Sequence, residues 1–197
     1  MKKAEIRLRP ETWVLRLGHR PFRDRRVTTH LALTARALGA KGMLIEGEQD
    51  RNVEESVSNI ATNWGGDFQI KFIPSPEKTI QEWKRTGFVV HLTMYGLPFE
   101  KYLGPVRQRE DKVLVVVGGK KVPGIVYSLA NLNLAVTGQP HSEISALALF
   151  LDRLYEGKEM AIYHRKPKMV VVPSPSGKLV VMKSKRPDRE AAKGSEG

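Results

Sequence analysis

Six short runs of branched and apolar residues alternate with segments of helical pattern, and this alternation constrains the fold more than any other feature of the chain. The runs are TWVLRL, MLIEG, FQIKFI, FVVHLTM, KVLVVVGG and NLNLAV. Between them lie RRVTTHLALTARALG, DRNVEESVSNIATNWGG, SPEKTIQEWKRTG, PFEKYLG and PGIVYSLAN. Strands separated by helices cannot be hairpin neighbours. They need crossovers, which lay helices over the faces of a mostly parallel sheet. Local signals agree: Ser75 and Pro76 fit an N-cap and first helical position, and Gly87 fits the stop. From Ser142 to Glu156, Ile144, Leu147, Ala148, Leu151 and Leu154 recur at helical spacing and predict one apolar stripe.

After Gly157 the pattern changes. KMVVVPSPSGKLVVMK reads as two β-branched runs around a Pro-Ser-Gly turn, hence a hairpin that must pack on the domain or on a second subunit. The closing KSKRPDREAAKGSEG is charged and poor in apolar residues, the composition of a disordered tail. The expected organisation is an α/β domain over residues 1–157, a basic β-hairpin extension over 158–183 and a basic tail over 184–197.

Charge then narrows the partners. The net charge of +12 is concentrated at the ends: residues 1–26 hold nine Lys/Arg against three acids, and residues 158–197 hold ten against four. The stretch between them sums to zero. Basic ends on a neutral core fit a polyanion, because each cation placed on a phosphate releases condensed counterions. The absence of cysteine excludes disulfides, thiol nucleophiles and cysteine-ligated metal. The histidines are never at metal-ligand spacing, so no metal site is expected. No apolar run approaches a membrane span and MKKAEIRLRPE lacks a signal-peptide core, so a cytoplasmic protein is expected.

In a parallel sheet, ligands bind beyond the carboxyl ends of the strands. Three late strand ends, HLTMYGLP, VVVGGKKVPG and LNLAVTGQPH, each carry glycine and proline where the strand stops. Such turns let backbone approach a ligand and suit a neutral adenosine better than a triphosphate. Neither a phosphate-binding P-loop nor G-x-G-x-x-G is present, which disfavours a standard nucleotide or dinucleotide fold.

Taken together, WVLRLGHRPFRDRRVTTHLALTARALGA, VVVGGKKVP and NLAVTGQPHSEISALALFLDRL resemble the SPOUT class of RNA methyltransferases. Within it they are similar to the archaeal tRNA 2′-O-methyltransferases that modify a cytidine in the T-loop. The resemblance implies S-adenosylmethionine as cofactor, tRNA as partner, a C-terminal deep trefoil knot, and a homodimer with its active site at the subunit interface. Carried over residue by residue, it assigns the cofactor pocket to Leu92, to Val117, Gly118, Gly119, Lys120 and Lys121, and to Ala135, Val136, Thr137, Gly138, Gln139, Pro140, His141 and Ser142. On that reading Gly138 and Pro140 shape a loop around the adenosine.

GHRPFRDRR supplies four arginines in the loop after the first strand and at the start of its helix. Methylating a ribose hydroxyl needs an oriented nucleophile and a stabilised developing alkoxide. An arginine fork can hold the adjacent phosphate and place charge beside that oxygen, but it stays protonated and is a poor base. Arg20 and Arg25 are therefore the expected catalytic residues, with Arg23 and Arg26 as RNA phosphate contacts. Members of the wider class carry an arginine inside the first helix, before an Ala-x-Gly ending; here that position falls near Leu33. Two alternatives stay open: a catalytically silent RNA-binding protein, and a base-methylating enzyme of the same class. Cofactor binding would discriminate the first, and nucleoside analysis of methylated RNA the second.

Overall fold

The computed structural model describes residues 8–119 and 121–183; Lys120 and the expected tail at 184–197 lie outside the described residues. The element order is β1 (Thr12–His19), α1 (Pro21–Ala37), β2 (Gly42–Gly47), α2 (Arg51–Trp64), β3 (Gln69–Ile73), α3 (Pro76–Thr86) and β4 (Gly87–Pro98). It continues α4 (Phe99–Arg107), β5 (Lys112–Val117), α5 (Gly124–Leu129), β6 (Leu132–Ala135) and α6 (Glu143–Tyr155). A short 3-10 turn (Lys158–Ala161), β7 (Met169–Val172) and β8 (Leu179–Met182) follow. All six expected strands form one sheet in the order β3-β2-β1-β5-β4-β6, and every neighbouring pair is parallel.

Side-chain alternation along the strands divides the core in two. Val14, Val90, Leu92, Val113, Val115 and Val117 point to the face covered by α1, α2, α4 and α6. Leu15, Leu17, Val89, Leu114 and Val116 point to the opposite face, where Ile80 of α3 and Val126 of α5 meet them. Val113 to Val117 are almost wholly buried, as the continuous apolar run of a strand covered on both faces requires. Ser75 caps α3 as expected, its hydroxyl accepting from Lys78 N at 3.3 Å.

β4 is irregular where it matters. Its Leu92 and its Leu97 both pair with Leu134 of β6, so Thr93 to Gly96 are looped out of the ladder. A Cβ on Gly96 would come within 2.6 Å of the Asn133 and Leu134 backbone, so only glycine lets the loop return this closely. The loop carries Thr93, Met94 and Tyr95 out over the carboxyl ends of the strands.

β7 and β8 form a separate antiparallel pair, registered from Met169↔Met182 to Val172↔Leu179. The pair is tied to the end of α2 by Lys168 N donating to Asn63 O, and by Gly66 N donating to Arg165 O, each at 2.9 Å. Its apolar side chains stay largely open, with Val171 57% and Met182 72% exposed. Among the described residues, no helix is long and apolar enough to cross a membrane.

Candidate active site

A cleft of about 1140 Å³ opens beyond the carboxyl ends of β2, β1, β5 and β4. The end of β1 builds its floor. Gly18 has a φ of +70°, a conformation that side chains rarely adopt, and its N–H donates to Glu46 Oε2 of β2 at 2.6 Å. That turn sends the chain into α1 at Pro21, so Arg20 becomes the N-cap residue, without a side-chain cap bond.

The four arginines divide. Arg20 and Arg23 line the cleft, Arg20 with its Nε 2.9 Å from Asp24 Oδ2 one turn on. Arg25 does not line it: its Nε donates to Asp50 Oδ2 at 2.9 Å, at the start of α2. Arg26 is exposed and also lies outside the lining. Among the described residues neither Arg23 nor Arg26 forms an ion pair within 4 Å, although Arg23 helps to hold the Asp24 carboxyl low. Thus the two expected catalytic arginines carry internal ion pairs, whereas the two expected phosphate contacts carry none among the described residues. Burial alone would raise the Asp50 carboxyl, but the bonds from Arg25 and Asn52 outweigh it and hold the group below the usual range.

The expected cofactor residues divide as well. Leu92, Val117, Gly118, Gly119, Lys121, Pro140 and His141 line the cleft. Ala135, Val136, Thr137, Gly138, Gln139 and Ser142 do not. Ala135 is buried at the end of β6, and the Thr137 hydroxyl accepts from Gln139 N at 3.3 Å. Ser142 is spent as the N-cap of α6, accepting from Ile144 N at 3.1 Å. The third loop therefore reaches the cleft through its second half.

Arg16 and His91, which with His19 are buried polar groups in the lining, were not singled out by the sequence. Arg16, inside the run TWVLRL, is 2% exposed and pairs with Glu143 at the start of α6, Nη2 to Oε1 3.3 Å. A charge at an inward strand position was the available signal, because such a group is buried only with partners. His91 of β4 is fully buried on the other face. Its Nδ1 lies 2.9 Å from Asn133 Oδ1, and its ring meets Tyr127 edge-on at 4.7 Å. Asn133 Nδ2 donates to Tyr127 O, which turns Oδ1 towards the histidine; Nδ1 then carries the proton and Nε2 the lone pair. Burial pushes the His91 pKa below its ordinary value. Among the described residues, no three His, Cys, Asp or Glu side chains are grouped to hold a metal ion.

The family described as tRNA ribose 2′-O-methyltransferase, aTrm56, matches residues 64–181. A "tRNA (cytidine(56)-2′-O)-methyltransferase" of Methanopyrus kandleri is 51% identical over 176 residues, 89% of this chain and 98% of that relative. The protein of the same description from Archaeoglobus fulgidus is 53% identical over 171 residues, 87% and 98% of the two chains. Among solved structures, the A. aeolicus TrmH/SpoU tRNA modifying enzyme superposes with a TM-score of 0.54 at 12% identity, over 78% of each chain. The SpoU methyltransferase AviRb from Streptomyces viridochromogenes, crystallised with AdoMet, gives 0.54 at 15% identity, over 80% of this chain and 60% of that one. The structural likeness is one of fold; the sequence identity goes further. With a parallel sheet, a strand-end cleft and relatives matched over nearly their whole length, this chain belongs to the archaeal tRNA ribose 2′-O-methyltransferase family.

Proposed function

We propose that the protein transfers a methyl group from S-adenosylmethionine to the ribose 2′-hydroxyl of a cytidine in the T-loop of tRNA. One observation carries the reading: arginine charge, with Arg23 outside any ion pair among the described residues, stands on the rim of a strand-end cleft whose opposite edge is glycine and apolar strand. Gly118 and Gly119 leave room for a nucleoside, and Leu92 and Val117 offer it apolar contact, so the residues fit the cofactor. When bound, S-adenosylmethionine supplies an electrophilic methyl group on its sulfonium. The chain's part is binding, orientation and charge. Arg23, on the cleft and without an ion pair, holds the phosphate beside the reacting ribose and stabilises its developing oxyanion, and Arg26, outside the lining, holds a phosphate further along the RNA. Arg20 joins them where Asp24 yields to a phosphate, and Arg25 acts through Asp50 rather than on substrate. Guanidinium does not take the proton.

Finer features follow from the same reading. The last strands form the trefoil knot, supported by β6 lying outside β4 while α6 returns across the sheet to α1. Residues 1–157 are the catalytic unit, 158–183 a basic extension that adds tRNA affinity, and 184–197 a tail. The protein is a cytoplasmic homodimer that needs no metal. Leu149 on α6, 49% exposed, and the open valines of the hairpin supply apolar surface for the second subunit.

Radiolabelled methyl transfer to unmodified tRNA, followed by digestion to nucleosides, tests the proposal. A 2′-O-methylcytidine product is expected. A methylated base would favour base methylation instead, and no transfer despite cofactor binding would overturn the activity.

A further inference from the structure

Arg16 has more hydrogen-bonding capacity than its surroundings use. Its side chain is 3% exposed, and Nη2 alone is engaged, with Glu143. Nε and Nη1 are buried and have no partner. Buried guanidinium donors are almost always satisfied, so an unsatisfied fork on a cleft floor marks a missing acceptor. The fork also borders the cleft at a position that carries no side chain. Gly119 stands next to it, and a Cβ there would lie 3.8 Å from both Nη1 and Nη2. Arg16 pairs in register with Val117 across β1 and β5, so the fork sits beside the strand end that carries Gly118 and Gly119.

Each donating edge of the guanidinium keeps one unused donor, Nε on one and Nη1 on the other, and an acceptor with two oxygens, a carboxylate, suits such a fork. A nucleoside lying along Val117 and Gly118, with an amino-acid chain at its 5′ position, would extend that chain towards β1. We propose that Arg16, held in place by Glu143, receives the carboxylate of the methyl donor's amino-acid tail. The inference rests on the reading that the cleft takes S-adenosylmethionine, and it names the group that distinguishes that ligand from a simple thioadenosine.

Calorimetric titration of the full chain with S-adenosylmethionine and with its decarboxylated analogue tests this, since the two differ only in the carboxylate. The wild type is expected to prefer S-adenosylmethionine by about 30-fold, the worth of a charge-assisted contact. Arg16→Met should remove that preference, weakening S-adenosylmethionine while leaving the analogue within about twofold. Arg16→Lys, a charge without a fork, should retain part of it. Equal binding of both ligands by the wild type would overturn the proposal without any variant, so a misfolded Arg16→Met does not shelter it. Equal weakening of both ligands by a folded Arg16→Met would make the residue structural. Loss of tRNA binding in a filter assay with unchanged preference would give the fork to an RNA phosphate. If neither ligand binds the wild type, it is the reading of the cleft that fails.

Discussion

Arg25 Nε stands 2.9 Å from Asp50 Oδ2, and that same oxygen lies 3.6 Å from His19 Nε2. The other carboxylate oxygen accepts from Asn52 N at 3.0 Å and caps α2. One side chain, 1% exposed, thus joins the end of β1, the first turn of α1 and the start of α2. Asp50→Ala should cost about 2 kcal/mol, combining a lost cap with the lost bond to Arg25. Asp50→Asn, which keeps an acceptor for the cap, should cost less. Urea unfolding measures both, and equal losses would mean that the cap contributes nothing.

The same contact separates the arginines functionally. Arg23→Ala is expected to fall hardest in methyl transfer, and Arg26→Ala mainly in tRNA affinity. Loss of a donor at the developing oxyanion slows the chemical step by roughly 10²–10³-fold, and loss of a phosphate contact flattens the salt slope of tRNA binding by about one. Arg25→Ala should lower the melting temperature more than the single-turnover rate. Arg20→Ala should fall between them, because Asp24 neutralises the group until substrate arrives. Should all four variants lose tRNA affinity alike and keep the chemical step, the cluster is only a landing site for RNA.

That division shows where the sequence stops being informative. The strands were legible because branched apolar runs of five to eight residues bounded by glycine and proline have few other uses. The phase of α1 was not. Successive helix residues turn by about 100°, so Arg23 and Arg25 face different neighbours although they are two apart. The partner that claims Arg25 lies twenty-five residues away. Reading the helix from Arg25 onward also placed Arg20 to Asp24 in a loop, whereas Pro21 already begins the helix. The loop after β6 was read as one ligand-binding unit. Its first half carries a local bond between Thr137 and Gln139 and lies outside the cleft lining, and the bulge at Thr93 to Gly96 occupies part of the cleft edge, a register effect that no residue of β4 announces alone.

Three histidines make the fold sensitive to mild acid. His19, His91 and His164 are all held below the ordinary imidazole pKa, burial being the largest cause in each. The unfolded chain therefore binds protons first, and stability should fall as pH drops from about 6.5 towards the depressed folded values. Glu159, pushed up by burial, acts in the opposite sense, so the difference between variants is the sharper measure. His91→Gln should be less stable than wild type at pH 7.5 but lose less on going to pH 5.5. Parallel curves would show that His91 is protonated without cost. Asp24, Asp50 and Asp111 are held low by arginine partners that outweigh burial at the two aspartates where it leads, and their contribution is lost only below about pH 4.

Gly119 and Gly138 are equivalent in the sequence but differ in the structure. Gly119 lines the cleft and its missing Cβ faces the Arg16 guanidinium, whereas Gly138 lies outside the lining and a Cβ there would meet nothing within 4 Å. Neither has a positive φ, so a branched side chain brings no backbone penalty at either site. Both Gly119→Val and Gly138→Val should therefore unfold at close to the wild-type temperature, and a change in ligand affinity can be read as a change in the site. Gly119→Val places two methyl groups between the strand end and the nucleoside and should weaken S-adenosylhomocysteine more than about tenfold. Gly138→Val should change it by less than about threefold. Calorimetry on the two variants decides. If Gly138→Val weakens the ligand as much as Gly119→Val, the loop after β6 does wrap the nucleoside along its whole length, and the cleft extends past Pro140 to include Thr137 and Gly138.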